Sequence, residues 1–175
     1  VHRIANAFSG ETEIDGVRGP EEYRSGFHSD FADFSGNAST IPETAFQAAS
    51  DRNRLQLFMR MGHIREGDED YAGFIFALPE EEFLWIKAHS DGTVDQQRVL
   101  STGELEEARN AAQVIIQNEE EGWSVELAVD RRTLELEDGH AAVHVYRSAG
   151  SDFGTWVYPI RFDRGSMGSI WLQTR

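Results

Sequence analysis

Apolar side chains recur at every second position through most of this chain. Residues 54–60 (RLQLFMR) set Leu55, Leu57 and Met59 against Gln56, Phe58 and Arg60. Residues 123–129 (WSVELAV) set Trp123, Val125, Leu127 and Val129 against Ser124, Glu126 and Ala128, and 142–146 (AVHVY) and 168–173 (GSIWLQ) repeat the pattern. Successive side chains of a strand leave on opposite faces, so each run predicts a strand with one face on a core. Residues 71–78 (YAGFIFAL) are almost wholly apolar and predict a strand covered on both faces. Further strands are expected at 44–50, 83–89, 94–100 and 112–118. Short turns such as Asp91-Gly92, Glu121-Gly122 and Asp138-Gly139 separate them. The sum is an all-β fold, an antiparallel β-sandwich of jelly-roll type. One short helix is expected at 101–110, where Ser101 and Glu104 have capping-box spacing. The first forty residues are aperiodic. Their rings Phe8, Tyr23, Phe27, Phe31 and Phe34 are expected to wrap the sandwich edge and pack into the core rim.

One strand carries an unusual second face. In residues 83–92 (FLWIKAHSDG), Leu84, Ile86 and Ala88 alternate with Phe83, Trp85, Lys87 and His89. If the first set faces the core, an indole, an ammonium and an imidazole stand in a row on the other side.

Composition narrows the partners of that row. At 175 residues the chain fits a single domain spanning 1–175. The net charge of −15 argues against nucleic acid, which needs a basic stripe, and disfavours an anionic membrane. No apolar run approaches the roughly 18 residues that a membrane span requires. Lys87 is the only lysine. Without cysteine there is neither a disulfide nor a thiolate ligand or nucleophile. The sequence opens at Val1 with no leader-like run, so a module excised from a longer protein is expected.

Six fragments, in order, carry a family resemblance: EIDGVRGPEEY, QAASDRNRLQLFMRM, GDEDYAGFIFAL, FLWIKAHSDGTV, EEGWSVELAVDRRTL and TWVYPIRFDRGSMGSIWLQT. Together they span about residues 13 to 173 and resemble a family 9 carbohydrate-binding module of the DOMON-like β-sandwich group. Tyr23 stands where that family more often has tryptophan. The resemblance implies a non-catalytic domain that binds an oligosaccharide or polysaccharide chain end between aromatic rings. It further implies an exported (secreted or extracellular) bacterial or archaeal protein with an adjacent catalytic domain. Trp156 falls on the stacking tryptophan of the family's Trp-x-x-Pro stretch. Lys87 and His89 fall where an arginine and an asparagine hydrogen-bond sugar hydroxyls. The family's second stacking tryptophan would lie near Gly67, where this sequence has none; Tyr71 or Trp85 could substitute.

The chemistry of the row agrees with that reading. A sugar offers one face of C–H groups ringed by hydroxyls, which suits an aromatic plane beside fixed polar partners. The expected carbohydrate site is Trp85, Lys87, His89, Trp156 and Tyr71. Lys87 could also pair with a uronate or sulfate. A structural calcium is the one cofactor considered, with Asp15, Asp68 and Asp70 as ligands, although EF-hand spacing is missing. Two alternatives remain open: a non-binding accessory sandwich beside a catalytic domain, and a haem domain using Met59, Met61 or His63. No Gly-x-Ser-x-Gly, His-Glu-x-x-His or phosphate-cradling motif supports an enzyme. Trp123 is expected in the core, Trp171 partly exposed under a loop, and His144 in a structural or surface role.

Overall fold

The computed structural model describes residues 3–10, 12–16, 18–19, 22–23, 26–63 and 69–172. In chain order the strands are β1 (Ile4–Asn6), β2 (Phe8–Ser9), β3 (Thr44–Ser50), β4 (Arg54–Gly62), β5 (Asp70–Leu78), β6 (Glu82–His89) and β7 (Val94–Val99). They continue as β8 (Leu105–Glu107), β9 (Ala112–Glu119), β10 (Gly122–Asp130), β11 (Leu136–Glu137), β12 (His140–Ala149), β13 (Asp152–Thr155) and β14 (Gly168–Trp171). They form two sheets. The larger runs β1-β14-β12-β5-β6-β7-β8, with β11 and β13 also on β12; the smaller runs β2-β3-β4-β10-β9.

The expected alternation sets the layers. Phe46, Leu57, Met59, Trp123, Val125 and Leu127 of the smaller sheet meet Phe74, Phe76, Leu84, Ile86, Val143 and Val145 of the larger, all fully or almost fully buried in one cluster. Burying each such side chain contributes about 1.5–3 kcal/mol, so the inward faces dominate stability.

Two details of the expected fold are corrected. The stretch expected as a helix instead folds as the edge strand β8, paired with Gln97, Arg98 and Val99. Thr102 and Glu104 close a turn there, and Glu104 N–H bonds the Thr102 hydroxyl at 3.4 Å. A lone helix of under three turns is marginal in water, whereas a sheet edge supplies partners at once. The sandwich is also not wholly antiparallel: β1 pairs β14 and β2 pairs β3 in parallel. These pairings attach residues 4–9 to both sheets.

Each outer face is partly covered. On the smaller sheet, the Glu126 carboxylate accepts from the N–H groups of Asp15 and Gly16 (3.0 and 2.9 Å) and from the Tyr23 hydroxyl (2.6 Å). The Ile-Asp-Gly and Gly-Trp-x-Val-Glu fragments of the family resemblance thus meet in a structural clasp. Burial raises the Glu126 carboxyl above its ordinary range. Tyr23 is buried as expected, but Phe34 is 69% exposed, its ring stacked on Phe153 at 3.9 Å.

On the larger sheet, residues 161–166 lie over the middle of β12, where His144 is completely buried. The His144 Nε2 accepts from the Arg161 N–H at 3.4 Å, leaving the proton on Nδ1, which has no partner. Burial lowers its pKa to about 4. An unfolded histidine takes its proton near pH 6.5, so between there and about 4 the unfolded chain holds more protons and stability decreases as the pH is lowered. We expect the wild type to lose about 3 kcal/mol across that window relative to His144→Gln. Urea unfolding of both proteins at a series of pH values reads the difference; parallel curves would reject it.

Candidate functional site

The open half of the larger sheet's outer face holds the row anticipated on β6. Tyr71 lies opposite His89, Gly73 opposite Lys87 and Ile75 opposite Trp85 in the β5–β6 register. Core burial of Leu84, Ile86 and Ala88 turns Trp85, Lys87 and His89 outward together. All three, with Tyr71, are half-buried.

Trp85 is held from two sides. Its indole N–H donates to the Tyr146 hydroxyl at 2.8 Å, and its ring meets Phe162 edge-on at 5.5 Å between centroids. Burial pushes the Tyr146 phenol pKa up, so the hydroxyl that accepts this bond stays neutral. Gly73 makes the arrangement possible. A Cβ there would sit 2.0 Å from the Tyr146 ring, so only glycine lets the phenol lie across β5 and reach the indole.

The polar members are arranged around these rings. Lys87 Nζ stands 4.2 Å from the Trp85 ring centroid and 5.5 Å from that of Tyr71, in cation–π range of both. His89 packs against Tyr71 (5.3 Å between centroids). Its Nε2 lies 3.2 Å from Asp95 and its Nδ1 3.9 Å from Glu69. These contacts fix the imidazole plane and set its remaining hydrogen-bonding capacity.

Beside Trp85 opens a cleft of about 720 Å³, the volume of a small-molecule site. Phe83, Trp85, Val99, Leu105 and Phe162 line it, with Glu81, Glu135 and Arg164 at its polar margin. Arg164 pairs with Glu135, and Arg98 with Glu82. At the rim, Glu80 and Glu81 both have positive φ (66° and 58°). Consecutive left-handed residues other than glycine cost roughly 1 kcal/mol or more each, a local strain often found beside binding sites.

The structure thus brings together Tyr71, Trp85, Lys87 and His89, but not Trp156. Trp156 is 1% exposed, edge-on to Phe46 at 5.0 Å and beside His28 at 5.7 Å. The expectation of an exposed stacking platform is corrected: its loop folds inward, and Gly168 leaves room for the indole. Two aromatic members of the site escaped the sequence reading. Tyr146 was detectable in principle, being in phase with His144 on its strand; Phe162 lies in an aperiodic loop and gave no signal.

The expected calcium ligands are not assembled. Asp70 is buried between the sheets, its carboxylate accepting from Arg147 and from the Trp123 indole (2.7 Å). Asp15 lies beyond the far side of the smaller sheet, at the Glu126 clasp. Asp68 falls outside the described residues. Among the described residues, no group of three or more histidine or acidic side chains could hold a metal ion. Of the residues considered for haem, Met59 and Met61 are buried in the core, and His63 bonds the Glu120 carbonyl at 3.1 Å. Trp123 is core as expected, and Trp171 is 41% exposed beside His140.

No protein-family model and no curated protein sequence matches this chain. Solved structures do. A family 9 carbohydrate-binding module from Caldicellulosiruptor kristjanssonii, in complex with cellotriose, is similar with a TM-score of 0.70 and 11% identity, over 99% of this chain and 95% of that one. A family 9 module from the same organism, in complex with glucose, gives 0.65 and 13%, over 99% and 97%. The chain therefore shares the fold of family 9 carbohydrate-binding modules.

Proposed function

We propose that this domain binds carbohydrate without transforming it, at the outer face of its larger sheet. It would serve as a non-catalytic module of an exported polysaccharide-degrading protein. The observation that carries the reading is Trp85: an indole anchored by Tyr146, at the mouth of an aromatic-walled cleft, with Lys87 and His89 on its own strand face. Trp85, Phe83 and Phe162 offer apolar surface to the C–H face of a sugar. Lys87 supplies donors, and His89 with Tyr71 closes the polar side. Support also comes from the fold, since the neighbours that share it were solved with cellotriose and glucose.

The test is Trp85→Ala against the wild type, titrated calorimetrically with cellotriose and with the best ligand of a glycan array. We expect affinity to fall at least about 30-fold, roughly 2 kcal/mol of lost stacking and burial. The mutant should stay folded, because the indole is only half-buried. Unchanged affinity would move the site elsewhere; a wild type that binds no glycan on the array would overturn the function.

A further inference from the structure

Lys87 is the only lysine in a chain of net charge −15, yet its ammonium pairs with no carboxylate and makes no hydrogen bond among the described residues. Its contacts are the ring faces of Trp85 and Tyr71. Suitable acids are close in the fold. Asp95 lies directly across from Lys87 in the β6–β7 register, and Glu69 immediately precedes β5. Both are turned toward His89 instead, Asp95 at 3.2 Å and Glu69 at 3.9 Å. His89 therefore draws the local acids away, and the aromatic faces hold the cation in place. Rings stabilise an ammonium electrostatically but offer no hydrogen-bond acceptor in their plane, so its three donors stay available.

The cleft on the other side of Trp85 has the opposite character. Its margin carries Glu81 and Asp163, while its arginine is committed to Glu135 and Glu137. A ligand negatively charged along its whole length would meet repulsion there. We propose that the site selects an oligosaccharide with one uronate unit among otherwise neutral ones, the carboxylate on Lys87 and a neutral unit in the cleft against Trp85, Phe83 and Phe162. The inference rests on the carbohydrate-binding reading above and specifies its ligand class. Lys87, which the resemblance assigns to hydroxyl recognition, becomes the determinant of charge selectivity.

The experiment compares cellobiose with the same disaccharide oxidised to a uronate at its terminal C6, by calorimetry on the intact chain. The panel also includes a short homopolymeric oligouronate. Charge-assisted hydrogen bonds are the stronger class, so the single-uronate disaccharide should bind about tenfold or more tighter than cellobiose. Raising sodium chloride to about 0.5 M should shrink that preference. Lys87→Met should abolish it, weakening the single-uronate disaccharide about tenfold more than it weakens cellobiose, and Lys87→Arg should restore most of it. Equal or tighter binding of cellobiose, or an equal loss of both ligands in Lys87→Met, overturns the charge assignment and leaves carbohydrate binding standing. So does tightest binding by the oligouronate, since the acidic cleft would then not exclude it. If neither disaccharide nor any array glycan binds the wild type, the carbohydrate reading falls and this inference with it.

Discussion

Arg147→Met is expected to destabilise the domain by about 3–5 kcal/mol, the usual result of leaving one member of a buried ion pair alone. Arg147 is fully buried on β12. Its Nε and Nη2 donate to the two carboxylate oxygens of Asp70 at 2.9 and 2.7 Å. Nη1 reaches the carbonyls of Pro42 and Glu43 and the Thr44 hydroxyl, and Nη2 the Gly62 carbonyl at 2.6 Å. One guanidinium thus ties the larger sheet to both strands of the β3–β4 pair at their open end. Methionine matches much of its length but satisfies none of these acceptors, and it strands the Asp70 charge between the sheets. At roughly 2–4 °C per kcal/mol for a chain of this size, the melting temperature should fall by about 10 °C or more. Adding Asp70→Asn should recover part of the loss, because the carboxylate is then no longer charged and unpaired. A loss below about 1 kcal/mol in urea unfolding would mean that water replaces the guanidinium and that the network is not the clamp it looks like.

Trp156→Ala is the second large effect, and it falls on stability. Burial among Phe46, His28 and Gly168 implies a loss of about 3–5 kcal/mol for truncating the indole to a methyl group. The cavity would lie where the segment 156–167 joins the core, so the covering of His144 should loosen as well. Glycan affinity of the fraction that remains folded should stay within about twofold of the wild type, since Trp156 is remote from the outward row. Calorimetric unfolding and ligand titration on the same preparation separate the two effects. A mutant that keeps its melting temperature but loses binding would restore Trp156 to the site and refute the burial described above. Trp85→Ala should behave in the opposite way, which makes the two indoles controls for each other.

That contrast shows where sequence reading works. Strands β3, β4, β6, β9 and β10 fall within about two residues of the runs read from hydrophobic alternation. Their inward residues are the core of the structure. The outward row of Trp85, Lys87 and His89 was legible for the same reason: alternation is local geometry, and burial of Leu84 and Ile86 dictates what their neighbours do. The helix at 101–110 failed because a capping spacing is a weak signal beside an open sheet edge seeking partners. Trp156 failed because motif position says which strand a loop follows, and nothing about whether its ring turns in or out.

Periodicity therefore settles which residues share a face of each strand, hence two layers, one core and a row of polar and aromatic groups pointing away from it. Contacts between segments distant in the chain settle the rest. Residues 161–166 fold over His144 on the larger sheet and leave the row on β6 open, Tyr146 crosses Gly73 to anchor Trp85, and Arg147 occupies both carboxylate oxygens of Asp70. Such choices depend on which loop covers which surface. That is a matter of long-range packing energy, and it leaves no period in the chain.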